Sequence, residues 1–213
     1  MSERRRVRVL LVVGSPALGT GLGNMLESYN DSYIVADSTP SEATSLFSSF
    51  QPDVVLIDIH LPQRAAFLLC SQLIAVKPEI PVIMLSDFDW DILLAEARKS
   101  GAIGFLTKQA GQEALLAAGD QACTGRILFT PAQRRRITLW SKEFGGRLAS
   151  LTRREQDVLK LLEAGYRNKE MAQALALTEN TIEKHIGSVL SKFGARSRAE
   201  LLVLLYRNHV EFD

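Results

Sequence analysis

Five short apolar runs, each followed by a stretch with a helical pattern, occupy the first 122 residues and limit the folds that this chain can adopt. The runs lie at 7–13, 32–36, 53–58, 81–86 and 102–107, and the helical stretches at 16–28, 40–49, 65–76, 89–99 and 111–122. The runs are almost continuously apolar, as in strands that are covered on both faces, and do not alternate. The sequence therefore predicts an α/β unit of (βα)5 type around a five-stranded parallel sheet.

From about residue 151 the strand pattern disappears and only helical patterns remain. Four helices are predicted at 152–164, 168–176, 179–193 and 197–208. This change in pattern indicates a second, all-α domain, which is consistent with a chain of 213 residues.

Local signals predict where several helices begin and end. Ser, Thr and Asn accept hydrogen bonds from the first free N–H groups of a helix, and glycine commonly follows its last turn. The predicted N-caps are Thr39, Thr152, Ser197 and Asn168, with capping boxes at Thr152–Glu155 and Ser197–Glu200 and glycine stops at Gly165 and Gly194.

The middle of the chain is its most basic part. Residues 1–122 hold 9 Lys and Arg against 14 Asp and Glu, residues 123–147 hold 6 against 1, and residues 148–213 hold 10 against 9. We expect an α/β domain at 1–122, a basic linker at 123–147 with one helix near 131–141 and a hinge at Gly145–Gly146, and a helical domain at 148–213. The linker arginines, Arg134 to Arg136, could meet phosphates or be plainly solvated.

The predicted helix 179–193 has one apolar and one polar face. Ile182, Ile186, Val189, Leu190 and Phe193 fall on one stripe, and small, polar or cationic residues occupy the opposite face. A narrow polar face of this kind can enter a major groove, where side-chain amides and amines reach purine edges. An ordinary solvent face is the competing interpretation.

The surrounding segment, residues 151–206, resembles the LuxR-type helix-turn-helix domain of the NarL/FixJ family of response regulators. The motifs that carry the resemblance are LTRRE, NKE, the Thr181 and His185 spacing, and SRAE. The resemblance implies a transcription regulator that binds double-stranded DNA. It places at the DNA Asn168, Lys169, Thr178, Asn180, Thr181, Glu183, Lys184, Ser188 and Lys192. Glu183 departs from the family, since relatives often have a lysine there, and it predicts an unusual recognised sequence.

The final predicted helix is apolar on more than one face. Leu201, Leu204 and Leu205 are the residues we expect at a two-fold dimer contact, because a lone domain would not bury every apolar side chain of this helix. The resemblance also implies a homodimer, with two recognition helices one helical turn of DNA apart.

Three polar residues end or follow neighbouring strands of the predicted sheet. Asp58 ends the third strand, Ser86 ends the fourth and Lys108 follows the fifth, so they should meet at one edge. With Phe105 they resemble the flavodoxin-type receiver domain of two-component response regulators. The resemblance implies that Asp58 is the phosphoacceptor, that Ser86 and Lys108 contact the phosphoryl group, and that Phe105 responds to it.

The first strand departs from that family. Receivers usually end it with two adjacent acids that hold Mg²⁺, whereas this chain has Val13 and Gly14. Asp87 could supply one oxygen or equally point into solvent. Because Mg²⁺ prefers near-octahedral oxygen ligands, we expect magnesium binding to be weak or absent, no cofactor, and control without Mg²⁺-dependent aspartyl phosphorylation.

Three alternatives stay open at this point. The chain could be a conventional response regulator that a histidine kinase phosphorylates on Asp58, or an interaction protein whose helical domain no longer binds DNA. Gly14 to Thr20 has part of a phosphate-binding loop, but it lacks the lysine, so a nucleotide-binding enzyme is disfavoured. We expect a non-enzyme controlled by a kinase or another protein.

The composition of the chain also predicts the cellular compartment of the protein. No apolar stretch is long enough to predict a membrane span and no signal peptide is predicted. Cys70 and Cys123 have no partner spacing, and the histidines at 60, 185 and 209 form no metal pattern with them. These observations predict a cytoplasmic protein with reduced thiols.

Overall fold

The computed structural model describes residues 6–28, 33–61 and 65–208, which divide into two compact units. The first unit holds the chain up to residue 89 together with 93–134, and the second holds 90–92 together with the chain from 135 onward. Two expectations reach beyond the described residues: the start of the second strand at 32, and His209.

The first unit is a parallel sheet of five strands, as predicted. The strands are β1 (Val7–Val12), β2 (Tyr33–Ser38), β3 (Val54–Asp58), β4 (Val82–Ser86) and β5 (Gly104–Thr107), in the order β2-β1-β3-β4-β5. All five positions of β3 and of β4 are buried. These central strands therefore need apolar side chains on both faces, which explains why their sequences do not alternate.

Helices follow the strands of this sheet. They are α1 (Pro16–Glu27), α2 (Ala43–Phe50), α3 (Ala65–Val76), α4 (Asp91–Lys99) and α5 (Gly111–Ala122), with a 3₁₀ turn at Lys108–Ala110. One core cluster joins Leu11, Leu56 and Leu85 of the sheet to Leu26 of α1 and Leu116 of α5. Each such side chain contributes about 2 kcal/mol by leaving water, so this packing fixes the strand ends.

The start of α2 corrects one prediction. Thr39 is not its N-cap, because the helix begins at Ala43 and the preceding residue is Glu42. The backbone N–H groups of Glu42 and Ala43 donate to the Thr39 carbonyl oxygen, and the Thr39 hydroxyl donates to the Glu42 carboxylate at 2.8 Å. The capping signal thus forms a separate turn before the helix.

The second unit is helical, and the four predicted helices are confirmed. They are α8 (Arg153–Glu163), α9 (Asn168–Leu175), α10 (Glu179–Phe193) and α11 (Arg198–Arg207), preceded by α6 (Pro131–Trp140) and α7 (Gly146–Ala149). Thr152 forms the predicted capping box with Glu155. Ser197 forms half of one, because Glu200 accepts from the Arg196 N–H and not from Ser197. Gly165 and Gly194 follow α8 and α10 with positive φ angles of 82° and 67°.

The predicted hinge at Gly145–Gly146 is wrong. Both glycines have helical φ angles, −58° and −61°, and the chain continues from α6 through a π-helical turn at Ser141–Gly145 into α7. A β-carbon on Gly145 would lie 2.9 Å from the Trp140 ring. This glycine is required for close packing and not for flexibility.

The predicted linker is divided between the two units. In the first, the Leu128 N–H donates to the Ile103 carbonyl at 2.7 Å and the Gln133 amide donates to the Phe105 carbonyl at 3.2 Å. In the second, the Phe144 ring packs edge-on against Phe193 at 5.4 Å. Residues 123–147 are therefore held by packing at both ends.

Candidate functional site

Asp58 lies at the carboxyl edge of the sheet, where the sequence placed it. Parallel pairing sets Asp58 opposite Leu85 and Ser86 opposite Thr107, so β3, β4 and β5 end side by side. The Asp58 side chain is 5% exposed and Lys108 is 17% exposed. The edge is thus a crevice with two carboxylates, one imidazole and one ammonium group, in which Asp58 and Lys108 are nearly buried. It is here called the receiver crevice: Asp58, His60, Ser86, Asp87 and Lys108.

A compact ion network fills the receiver crevice. The Lys108 ammonium lies 2.9 Å from one Asp58 oxygen and 3.4 Å from the Asp87 carboxylate. The second Asp58 oxygen accepts from the His60 backbone N–H at 3.1 Å, and the His60 ring lies 3.3 Å from Asp58 and 3.4 Å from Asp87. Asp87, whose orientation the sequence left open, turns toward the crevice. Lys108 and His60 therefore bridge both acids.

Two other predicted residues lie beside this network. Ser86 is fully buried, and its hydroxyl oxygen accepts from the Phe88 N–H at 3.1 Å. Phe105 is 1% exposed and packs inside the first unit. The structure brings Asp58, Ser86 and Lys108 together as expected, and the phosphoryl-dependent roles of these residues stay predictions.

The positions of the missing acids offer no carboxylate. Val13 is 4% exposed and belongs to the apolar core, and a β-carbon on Gly14 would lie 3.4 Å from the His60 carbonyl oxygen. Magnesium prefers several oxygen ligands, and here Asp58 already pairs with Lys108. Within residues 6–28, 33–61 and 65–208, no group of three or more His, Cys, Asp or Glu side chains is arranged to hold a metal ion. The carboxylates at the receiver crevice are thus Asp58 and Asp87, without the pair of acids that receivers usually have after the first strand.

The polar face of α10 is presented by the second unit. Thr178, just before the helix, caps it by accepting from the Thr181 N–H at 3.2 Å. The predicted DNA-contact residues that are exposed are Lys169, Thr178, Asn180, Glu183 and Lys184. Of these, Asn180 and Lys184 belong to the polar face that the amphipathic pattern predicted, and the buried residues of α10 are Ile182, Ile186, Val189 and Phe193.

Ser188 and Lys192 differ from the exposed residues. The Ser188 hydroxyl donates to Glu155 at 2.5 Å, and the Lys192 ammonium lies 2.6 Å from the same carboxylate and donates to the Ser150 carbonyl. Their polar atoms therefore tie α10 to α8 in this structure. Contact of these two residues with DNA stays a prediction.

Glu155 is the centre of this second network, and sequence reasoning assigned it only to a cap. Burial by itself raises the pKa of Glu155, but hydrogen bonds from Lys192, Ser188 and Thr152 outweigh burial and hold the pKa at about 2. The carboxylate is therefore charged at neutral pH. It fixes the orientation of α10, and with it the exposed face.

Two further predictions in this unit are corrected. Arg167, not Asn168, precedes the first turn of α9, and Asn168 instead donates to Glu183 at 3.4 Å and accepts from Arg198. Leu201 and Leu205 are 0% and 1% exposed, so they pack within the domain and are not available for a dimer contact. The large apolar side chains of α11 that are exposed are Val203 (48%) and Tyr206 (82%).

Comparisons with known proteins agree with both units. Residues 9–120 match the response regulator receiver domain, and residues 149–205 match the bacterial regulatory proteins of the luxR family. The chain belongs to the response regulators. It is a DNA-binding response regulator of the NarL and LuxR type.

Individual relatives match along nearly the whole response regulator. The nitrate/nitrite response regulator protein NarL of Escherichia coli (strain K12) is 29% identical over 217 residues, which cover 99% of this chain and all of NarL. The crystal structure of the response regulator ChrA, from a heme-sensing two-component system, is 26% identical, with a TM-score of 0.54 and coverage of 96% of this chain and 98% of ChrA. An RcsB response regulator structure from Salmonella typhimurium shares the fold at 19% identity, with a TM-score of 0.64 and coverage of 94% and 100%.

Among the described helices of this response regulator, none combines the length and the apolar character needed to cross a membrane.

Proposed function

We propose that this response regulator reads double-stranded DNA as a homodimer through α10, and that its receiver unit works without Mg²⁺-dependent phosphorylation of Asp58. The observation that carries the second part is that Val13 and Gly14, directly after β1, stand where receivers usually have two acids, and that Val13 is buried in the apolar core.

The arrangement of α9 and α10 supports DNA reading. The exposed amide and ammonium of Asn180 and Lys184 are groups that pair with purine edges, and Lys169 on α9 is suited to a backbone phosphate. Because Glu155 anchors α10 to α8, these side chains are presented on a rigid helix. A pre-arranged face loses less entropy when it binds.

The chemistry of the receiver crevice supports control by other means. Phosphoryl transfer needs positive charge around the transferring oxygens, which receivers usually obtain from a metal ion. Lys108 already neutralises Asp58 and also lies near Asp87, so one ammonium serves two acids. A second negative charge on Asp58 would have little to offset it. We therefore assign control to a protein regulator and no enzymatic activity to the chain.

The conventional alternative has one observation in its favour. Asp58, Ser86 and Lys108 stand together as a phosphorylatable receiver requires, and Asp87 faces the same crevice. A small-molecule phosphoryl donor with Mg²⁺, followed by intact-mass spectrometry, separates the two. We expect no added phosphoryl mass, and a stable adduct on Asp58 would establish the alternative.

DNA reading is tested by selecting bound duplexes from a random library with the full-length chain, followed by light scattering of the complex. We expect one enriched two-fold symmetric sequence and two chains per duplex. Failure to enrich any sequence would instead favour the interaction protein whose helical domain no longer binds DNA. One chain per duplex would remove the homodimer.

The dimer surface is tested on α11. Tyr206→Ala and Val203→Ser change exposed side chains, so they should weaken dimerisation without unfolding the domain. Ala199→Ser, an exposed position on the same helix, is the matched control. Unchanged association of the first two variants would move the dimer contact away from α11.

A further inference from the structure

Glu183 is an acid on the face of α10 that would approach DNA. Its side chain is exposed, and it lies on the same helix as the exposed Asn180 and Lys184. A carboxylate repels phosphate, so it weakens binding unless it makes a compensating contact with a base. The surroundings of Glu183 indicate what that contact is.

Glu183 is connected to two other helices by a chain of hydrogen bonds. The Asn168 amide of α9 donates to Glu183 Oε1 at 3.4 Å, and the Asn168 carbonyl oxygen accepts from the Arg198 guanidinium of α11. The described residues supply no hydrogen bond to the other carboxylate oxygen of Glu183, Oε2. One oxygen is therefore held and the other is left for a ligand.

Arg198 makes this arrangement stronger than a single amide contact. A guanidinium that donates to the Asn168 carbonyl polarises the amide, so its NH₂ group becomes a better donor to Glu183. The positive charge of Arg198, which is linked to Glu183 through two hydrogen bonds, also lowers the electrostatic cost of bringing a carboxylate near DNA. Asn168 and Arg198 therefore act as positioning residues for Glu183.

An ionised carboxylate can only accept hydrogen bonds, and this limits the bases it can select. In the major groove, guanine presents two acceptors and thymine presents an acceptor and a methyl group, which offer a carboxylate nothing. Adenine presents its amino group beside the N7 acceptor, which repels a second oxygen. Cytosine presents its N4 amino group without such a neighbour, so it is the best partner.

We propose that Glu183 selects a cytosine at one position of each half-site, held in place by Asn168 and Arg198. This inference rests on the proposed reading of DNA by α10, and it adds the base that one side chain determines.

The test compares full-length wild type with Glu183→Gln, first in selection from a random library and then in titrations of duplexes that vary one base pair. Wild type should prefer cytosine at one position by about tenfold or more. Because glutamine pairs with the N6 and N7 atoms of adenine, Glu183→Gln should shift the preference at that position toward adenine and leave the others unchanged. Glu179→Gln, an exposed acid of the same helix, is the control and should change no preference.

The positioning residues are tested by the same titrations. Arg198→Met keeps an apolar stem and removes the donor to Asn168, and Asn168→Ala removes the donor to Glu183. Each should reduce cytosine discrimination at the one position while the ranking of bases elsewhere is retained. An equal loss of affinity for every duplex would show that Asn168 and Arg198 only support the fold, and would overturn their assignment.

The remaining outcomes separate this inference from the proposed function. Equal tightening of Glu183→Gln on all duplexes would mean that Glu183 only repels phosphate, which overturns the inference and leaves DNA reading intact. Wild type that enriches no sequence contradicts DNA reading itself and the inference with it.

Discussion

Each unit of this protein buries one carboxylate against one lysine, and the two pairs differ in what surrounds them. Asp58 is 5% exposed and lies 2.9 Å from Lys108, and Glu155 is 6% exposed and lies 2.6 Å from Lys192. Glu155 also accepts from the Ser188 hydroxyl and the Thr152 N–H, at 2.5 and 2.6 Å. Asp58 instead shares its lysine with a second acid, Asp87.

The difference shows that one kind of ion pair, a carboxylate with a lysine, has a different role in each unit. Ser188 and Lys192 of α10 and the Thr152 N–H just before α8 all donate to Glu155, so its charge is a fixed part of the packing between α8 and α10. The receiver crevice holds two acids, one ammonium and one imidazole, and its rim is open at His60 and Asp87, which are 46% and 40% exposed. The first arrangement holds two helices of a domain together, and the second brings Asp58, Ser86 and Lys108 to one edge of the sheet, with Val13 and Gly14 at the positions where receivers usually have acids.

The largest expected effect is that of Glu155→Ala. Removal of one partner from a buried pair leaves Lys192 uncompensated and breaks the capping box, so the second unit should lose about 4 kcal/mol of unfolding free energy. Hydrogen exchange read by mass spectrometry should show the loss in α8 and α10, with the sheet of the first unit unchanged. Glu179→Gln is the control, and equal exchange in the two variants would mean that Glu155 contributes no stability.

Acid should produce a similar effect in wild type. The pKa of Glu155 is about 2 in the folded chain against 4.5 for an ordinary glutamate, so its stabilisation is complete above pH 4.5 and is lost as the pH falls toward 2. The loss amounts to about 3 kcal/mol. Wild type and Glu155→Gln should converge in the stability of the second unit over this window. Parallel curves would contradict the lowered pKa.

Asp58→Asn should have a much smaller effect. Lys108 retains its ion pair with Asp87, at 3.4 Å, and the new side-chain amide oxygen at position 58 can still accept a hydrogen bond from the lysine. We expect a change in unfolding free energy of about 1 kcal/mol and a change in DNA affinity of less than about threefold. Chemical denaturation and DNA titration measure both. Loss of DNA binding in Asp58→Asn would show that the charge of Asp58 controls the second unit.

The smallest expected effects are those of the two lysines of α10, Lys184 and Lys192, which differ in whether they pair with Glu155. Lys184 is exposed, so Lys184→Ala should leave stability unchanged and reduce the salt dependence of DNA binding by about one unit of slope. Lys192 pairs with Glu155, so Lys192→Ala should mainly reduce stability. Titrations at several salt concentrations, beside thermal unfolding, separate the two. Equal salt slopes for wild type and Lys184→Ala would show that the Lys184 charge does not reach the DNA.

Periodicity and residue type were sufficient to predict the strands, the helices and the meeting of Asp58, Ser86 and Lys108, because the ends of parallel strands share one edge. Pattern could not predict that Gly145 packs against a tryptophan ring, since a glycine pair also looks like a hinge. The apolar pattern of α11 predicted Leu201 and Leu205 at a dimer surface, because the pattern does not show which face of the helix packs against the rest of the domain. The partners of Glu155 and Glu183 lie on other helices, and only folding brings them together.

The most direct test of the account is whether a phosphoryl mimic acts on this chain. DNA affinity of the full-length protein should be measured with and without Mg²⁺ and beryllofluoride. Because the receiver crevice should not bind this mimic, we predict a change of less than about twofold. A clear tightening on operator DNA, accompanied by Mg²⁺-dependent binding of beryllofluoride at Asp58, would contradict the proposal that the receiver unit works without Mg²⁺-dependent phosphorylation.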